Sequence, residues 1–397
     1  MAYIVFFLIL ELIQLYFFIN KKRRNILVVI NTTFQALLCV GAILYLRLGT
    51  YQYDIILWPL LLFAVLNFIS NYAIAGSFRI DKMVIKRLNV LEILSIIYIA
   101  FSVYFIFWKG SDALTLFNSG EYLDAYKEAH SEEISFHSNL FEQVLVNYIS
   151  YLHIPVLLYG FCCLAMKRNK YGLIIILSVF ISRYLWASVY SSRTILFSLL
   201  VLLLICSILF LDYLSKRTQR FIKLFAVWVI IAIVFIIFSI SVSRFEGQEL
   251  SEWIYAYFGR SIVTFQDIVG TITRYSNGSI FFSYIINYLP IDNHPPVTIR
   301  DTGTNFVPEF ARLYEDFNIW FVFFLLAPII IIVRNRFKRK KLFFADYYLI
   351  LAYFFSLFIG NLYKTVDFIG VVMITAIYWV LRTSEIRISN NDYRFNK

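Results

Sequence analysis

Arginine is the residue type in this sequence whose positions most clearly indicate chemistry. Arg193 lies in a tight hairpin between two apolar segments, and Arg183 lies inside the first of them. The stretch 243–317 contains five arginines and no lysine, namely Arg244, Arg260, Arg274, Arg300 and Arg312. A guanidinium group matches phosphate oxygens with two parallel hydrogen bonds, which a lysine ammonium cannot do. We therefore expect these arginines to bind the phosphate groups of an anionic substrate.

Two of these arginines also have a structural interpretation. A charge inside an apolar span faces a polar cavity or a partner, so the alternative for Arg183 is a pair with an acid such as Glu11. The alternative for Arg193 is to close the hairpin and extend into the lipid headgroups. Glu11 and Gln14 are three residues apart and share one face of a helix, so we expect a buried hydrogen bond between them.

The stretch 243–317 also interleaves its arginines with aromatic residues, which suits a lipid-linked sugar. Glycosyl transfer with inversion needs a base for the acceptor hydroxyl and positive charge on a leaving pyrophosphate. The candidate bases are Glu246, His294, Asp301, Glu309 and Asp316. The alternative is an ordinary loop at the membrane interface. No metal-binding or nucleotide-binding motif occurs, so metalloproteolysis and nucleotide-driven transport have no support.

Composition defines the class of protein that must position these residues. Of the 397 residues, 60% are hydrophobic and 15% charged, and the mean hydropathy is +0.73. This excludes a cytosolic enzyme, a disordered chain and a secreted disulfide module. A helix of about 20 apolar residues crosses a bilayer, and eleven such segments occur, at 3–20, 26–48, 55–76, 90–108, 148–166, 171–190, 194–211, 221–242, 318–333, 343–361 and 365–381. We predict an all-α polytopic membrane protein with one domain over 1–397.

The distribution of positive charge predicts the orientation. With the N-terminus outside and the C-terminus inside, 25 of the 36 lysines and arginines fall on the cytoplasmic side, as the positive-inside rule requires. The net charge of +11 therefore reflects topology and needs no nucleic acid to explain it. The acidic loop 109–147 and the large loop 243–317 then lie outside, where we expect the site. Within the second loop, 254–270 and 279–289 are predicted to be helices along the membrane surface.

Three segments resemble the Wzy-type oligosaccharide repeat-unit polymerases of bacterial O-antigen and capsule assembly. The first is Ser-Ser-Arg-Thr at 191–194, which opens an apolar helix. The second is Gly-Ser at 278–279, followed by Tyr-Leu-Pro at 288–290. The third runs from Asn-Phe-Val-Pro at 305–308 to Tyr-Glu-Asp-Phe at 314–317, just before a span. In this chain Asn318 replaces the glycine that is usual in the family at that turn.

The resemblance implies a metal-independent membrane glycosyltransferase without a cofactor. It would join undecaprenyl-pyrophosphate-linked oligosaccharide units on the outer face of the bacterial inner membrane, with a chain-length regulator as a possible protein partner. By this resemblance Arg193 and Arg312 bind pyrophosphate. The resemblance also implies Tyr314 and Asp316 as acceptor-side residues. To these we add Glu309 as a candidate base for catalysis, and, for substrate binding, Arg244, Arg260 and Arg274 from the composition of the loop and Arg183 from its place in a span. The alternatives are an O-antigen ligase, a lipid-linked oligosaccharide flippase and a non-catalytic assembly component.

Overall fold

The computed structural model describes residues 1–19, 26–48, 53–75, 83–86, 89–119, 140–189, 193–244, 250–277, 279, 281–282, 297–298, 309–337, 342–355, 368–387 and 392–394. These residues are predominantly helical. Seven of the described helices are long and apolar enough to cross a membrane: α1 (Ala2–Ile19), α2 (Ile26–Arg47), α3 (Leu57–Ile74), α4 (Asn89–Ser119), α5 (Leu140–Ala165), α6 (Asn169–Val189) and α7 (Arg193–Phe210). The all-α membrane class is therefore confirmed, while the count of eleven spans and the orientation remain predictions.

The other described elements are mostly shorter. The helices are α8 (Lys216–Arg244), α9 (Leu250–Thr271), α10 (Glu309–Phe317), α11 (Ala327–Phe337), α12 (Phe344–Tyr353) and α13 (Phe368–Arg387). The strands are β1 (Met83–Lys86), β2 (Ile272–Arg274), β3 (Val297–Thr298), β4 (Leu342–Phe343) and β5 (Asp392–Arg394). β1 pairs antiparallel with β5, and β2 pairs antiparallel with β3.

Helix α4 continues beyond its predicted end at residue 108 and reaches Ser119. Its last turns remain helical because Lys109 and Asp112 form an ion pair of 2.9 Å on one face and Ala113 is buried. The first part of the predicted loop 109–147 is thus helical, and its last residues, from Leu140, belong to α5. Residues 120–139 lie outside the described part of the chain.

The three late predicted spans are helical over most of their described residues, although residues 318–319 form a turn and residue 343 belongs to β4. Two of these spans contain short or irregular helices. A π-helical turn, Val322–Leu326, precedes α11, in which Pro328 is the second residue. Proline lacks an N–H and clashes with the carbonyl four residues earlier, so a wider turn accommodates it. Residues 356–367, which include the end of the predicted span 343–361, lie outside the described residues.

The chain divides into two compact units. The first contains Met1–Arg79, Gln248–Leu342 and Leu349–Ala376, and the second contains Ile80–Gly247, Phe343–Tyr348 and Ile377–Lys397. In the first unit α1 packs on α2 and α3, α9 packs on α2, α3 and α10, and α11 packs on α3. In the second unit α5 and α6 pack on each other and on α4, and α7 lies between α5, α6 and α8. All four cysteines, Cys39, Cys162, Cys163 and Cys206, are buried thiols.

Helix α9 is a core element of the first unit. It was predicted as a surface helix over 254–270, and a helix is present, but residues 261–269 are buried on all sides. The cause is a backbone-to-backbone crossing: a Cβ added to Gly259 would lie 2.5 Å from the carbonyl oxygen of Gly41 in α2. Only glycine permits such an approach, and the sequence pattern of α9 alone does not reveal it.

Replacing Gly259 with alanine is expected to destabilise the first unit by about 1–3 kcal/mol, because the new methyl group meets backbone atoms that cannot rotate away. Gly110→Ala in α4 is the matched control, because the nearest atom to a Cβ at that position is 3.8 Å away. Thermal unfolding in detergent measures both variants. Equal melting temperatures would show that α9 does not cross α2 at Gly259.

Candidate functional site

The candidate site is built on the short amphipathic helix α10. Its buried face consists of Phe310, Ala311, Leu313 and Tyr314. The Phe310 ring packs against Phe63 of α3 and against Phe321, with centroid separations of 6.0 and 6.3 Å. These contacts fix α10 in the first unit and leave Arg312 and Glu315 partly buried on the opposite side.

Asp316 ties the end of α10 to the segment that follows β2. Its carboxylate is only 2% exposed and accepts hydrogen bonds from the Ser276 hydroxyl and from the backbone N–H of Phe281, the latter at 2.6 Å. The backbone N–H of Ser276 donates in turn to the carbonyl of Glu315 at 2.9 Å. Because both oxygens of Asp316 are used in this way, its contacts are those of a positioning residue. The acceptor-side role implied by the resemblance stays a prediction.

Two asparagines in the left-handed backbone region shape this junction. Asn318 has a φ of 53° and ends α10, and its side chain accepts a hydrogen bond of 2.6 Å from the N–H of Ile319. Asn277 has a φ of 51° at the break that the Asn-Gly pair predicts. Asparagine tolerates this conformation better than other non-glycine residues. The turn therefore forms in this chain with Asn318 in place of glycine.

Glu315 is the carboxyl group whose environment best suits proton transfer. Burial, together with the negative charge of Asp316, raises its pKa to about 7, although the positive charge of Arg312 one turn earlier opposes this shift. A base is most effective when its pKa lies near the working pH. Glu315 is not among the candidate bases predicted from the sequence, because the shift of its pKa depends on tertiary burial. Its spacing of three residues from Arg312 was the available signal.

Two aromatic side chains contact Tyr314 on the buried face of α10. Its ring lies 5.9 Å from that of Tyr275 and 6.4 Å from that of Trp58, between centroids. Burial and a hydrogen bond with Tyr275 raise the pKa of Tyr314 far above its usual range, so its hydroxyl stays neutral. Trp58 is 47% exposed and presents a face on which a sugar ring can stack. The sequence argument did not single out Trp58, which lies 256 positions before Tyr314 in the chain.

Helix α3 relates this cluster to the predicted sides of the membrane. Near its first residues Trp58 contacts Tyr314, and the N–H of Ile56 donates to Gln266 of α9 at 2.8 Å. Near its last residues the Tyr72 carbonyl accepts a hydrogen bond of 2.9 Å from Arg334. Fourteen residues of helix span about 21 Å. The candidate site and the basic cluster that begins at Arg334 thus adjoin opposite ends of one apolar helix.

Six of the predicted site residues lie in the first unit on neighbouring elements. Arg312, Tyr314 and Asp316 share α10, which packs on α9. Arg260 is partly buried in α9, and Arg274 is exposed in β2 directly after it. Glu309 is the first residue of α10, and its side chain is outside the described part. Arg300, Asp301, His294 and Glu246 also lie outside the described residues.

The other three predicted arginines belong to the second unit. Arg183 is 2% exposed in α6, and its guanidinium carbon lies 5.9 Å from the ring centre of Trp186. Beside it the Ser182 hydroxyl is 3.0 Å from that of Tyr98. Arg193 is the first residue of α7 and Arg244 the last of α8, and the side chains of both are outside the described part.

Helix α10 carries an arginine and a carboxyl group whose pKa is raised to about 7, and the exposed indole ring of Trp58 in α3 lies against Tyr314 of the same helix. Such a set can neutralise a leaving phosphate, accept a proton and stack on a sugar. Comparison of the chain with protein-family models, with curated proteins and with solved structures finds no match.

Proposed function

We propose that the protein polymerises undecaprenyl-pyrophosphate-linked oligosaccharide repeat units into O-antigen or capsular polysaccharide on the outer face of the bacterial inner membrane. The observation that carries this proposal is the placement of Arg312 one turn before Glu315 on α10, where its positive charge acts on a carboxyl group whose pKa is raised to about 7. Both lie beside the end of α3 that the charge pattern predicts to be external. The resemblance of the segments at 191–194, 278–290 and 305–317 to Wzy-type polymerases supports the same activity.

The reaction follows from the groups present. The acceptor hydroxyl oxygen of one repeat unit forms a bond to the anomeric carbon of the growing chain, and the bond from that carbon to the pyrophosphate oxygen breaks. The lipid pyrophosphate leaves with the bonding electrons, and its growing negative charge is stabilised by the Arg312 guanidinium. The hydroxyl proton passes to the Glu315 carboxylate. Trp58 stacks on a sugar ring, and Asp316 positions Glu315 through Ser276.

The direct test is polymer formation by the purified protein in a lipid bilayer with an undecaprenyl-pyrophosphate-linked repeat unit as the only substrate. We expect a ladder of lengthened chains and release of undecaprenyl pyrophosphate. An O-antigen ligase would form product only when lipid A-core is added, and a flippase would form no new glycosidic bond. A deletion strain gives a second readout: loss of a polymerase leaves single repeat units on the core, whereas loss of a ligase leaves bare core.

The rate of this reaction is expected to fall as the pH is lowered through about 7, because Glu315 must be ionised to accept the proton and its pKa is about 7. Below that pH the rate should drop about tenfold for each pH unit, with a plateau above it. Initial rates of chain extension measured against pH check this expectation. A profile that stays flat through neutral pH would exclude Glu315 as the base.

A further inference from the structure

A buried polar cluster in α1, α2 and α3 has no part in the proposed reaction. It consists of Glu11, Gln14, Asn31, Thr32, Gln35, Asn67, Ser70 and Asn71, all of them buried. Each of the three helices is apolar enough to cross a membrane. Polar groups in such helices are costly unless they are paired, and they are usually functional.

Hydrogen bonds join the cluster across all three helices. The amide nitrogen of Asn31 donates to the side-chain oxygens of Asn67 and Asn71, at 2.8 and 3.0 Å. Asn67 donates to Oε1 of Glu11 at 2.8 Å, and Asn71 donates to Gln14 at 3.1 Å. Gln14 donates to Oε1 of Glu11 at 3.4 Å, which confirms the predicted hydrogen bond between these two residues.

Among the carboxyl and amide groups of this cluster, three oxygens have no hydrogen-bond partner in the described residues: Oε2 of Glu11, Oδ1 of Asn31 and Oε1 of Gln35. The first two lie within the network, since the other atom of each carboxyl or amide group is bonded there. Gln35 is one turn after Asn31, so it lies on the same face of α2. All three are lone-pair acceptors, and what they lack is positive charge or a donor.

The charge of Glu11 also indicates that the cluster lacks a positive charge. Its side chain is 0% exposed, and its partners in the described part of the chain are neutral amides. An ionised carboxylate in such a place must be neutralised. One proton would supply a single donor and leave acceptors unsatisfied, whereas a small hard cation is surrounded by several oxygens. One acid in the cluster matches one positive charge, which selects a monovalent ion.

We propose that this cluster binds a sodium ion through the carboxylate of Glu11 and the amide oxygens of Asn31 and Gln35. The ion would fasten α1 to α2, and Asn67 and Asn71 of α3 are hydrogen-bonded to Glu11 and Asn31 of that pair. Helix α3 also carries Phe63 and Trp58, which contact Phe310 and Tyr314 of α10. Bound sodium would therefore stabilise α3, against which α10 packs. This ion site does not depend on the reaction assigned to the protein.

Binding of radioactive ²²Na⁺ to the purified full-length protein in lipid nanodiscs, in sodium-free choline buffer, tests the site. We expect saturable binding of one ion per chain, which excess unlabelled Na⁺ displaces and an equal concentration of K⁺ does not. Glu11→Gln keeps the shape and removes the charge, and it should lower the affinity at least about tenfold. Asp112→Asn in α4, where the carboxylate is solvent-exposed, is the matched control and should bind like the unmodified protein.

Thermal unfolding supplies a second readout that does not require the variant to fold. The melting temperature of the unmodified protein should rise by several degrees with Na⁺ and not with choline. Absence of saturable ²²Na⁺ binding, or undiminished binding by a folded Glu11→Gln variant, would overturn the proposal. The proposal would also be overturned by a melting temperature that does not change with Na⁺ and falls as the pH rises, because that result would identify a proton as the charge that neutralises Glu11.

Discussion

Replacing Arg312 with alanine is expected to abolish chain lengthening, with a loss of about a hundredfold to a thousandfold in rate. The guanidinium group supplies the positive charge for the leaving pyrophosphate, and it also limits how far the pKa of Glu315 is raised. Its removal therefore weakens both leaving-group stabilisation and the base at neutral pH. The measurement is the rate of polymer formation by the purified variant, with insertion into the membrane checked separately.

Two further variants separate the causes of that loss. Arg312→Lys keeps the charge near Glu315 but loses the planar fork, so we expect it to restore the pH profile and not the full rate. Arg217→Ala removes an exposed arginine at the start of α8 and should leave the rate unchanged. Normal polymer from a well-inserted Arg312→Ala variant would remove Arg312 from the site.

Replacing Glu315 with glutamine is expected to lower the rate by about 10²–10⁴-fold, the range typical for loss of a general base. Glutamine has nearly the same shape and leaves the backbone carbonyl of residue 315 free to accept from Ser276, so α10 should keep its position. The variant is measured in the same assay, over the pH range in which the unmodified protein loses activity. Its residual rate should not depend on pH near 7.

Asp316→Asn distinguishes the two neighbouring acids. An amide at position 316 can still accept one of the two hydrogen bonds from Ser276 and Phe281, so we expect lower thermal stability and a smaller loss of rate than in Glu315→Gln. If Asp316→Asn instead abolished the reaction while the protein remained stable, Asp316 would be the base and the roles of the two acids would be exchanged.

The early helices were predictable because each is a long, nearly uncharged apolar run. Predicted bounds of 3–20, 26–48 and 171–190 differ by three residues or fewer from those of α1, α2 and α6. The extension of α4 past residue 108 was missed, because local ion pairing and burial continue the helix after hydropathy falls. The burial of α9 was missed because it depends on Gly259 meeting Gly41, a contact between distant parts of the chain.

The candidate site was only partly predictable, because it too depends on contacts between distant parts of the chain. Residue type made Arg312 and Asp316 candidates, and the resemblance to Wzy-type polymerases added Tyr314. The structure puts all three on one short helix. The sequence alone does not show that Asp316 is buried and hydrogen-bonded, or that the pKa of Glu315 is raised to about 7. The hydrogen bonds of Asp316 come from Ser276 and Phe281, which are remote in sequence, and the raised pKa of Glu315 depends on its burial.

The central claim is that α10 faces the outside while the basic cluster at Arg334 faces the cytoplasm, and sidedness of labelling tests it most directly. Single cysteines introduced by Arg274→Cys and Asn335→Cys are both at exposed positions of the first unit, and the native thiols are buried. Position 274 reports on α10, because Ser276 is bonded to Glu315. In intact spheroplasts a membrane-impermeant maleimide should label position 274 at once and position 335 only after lysis. Labelling of position 335 first, or of both positions only after lysis, would contradict the account.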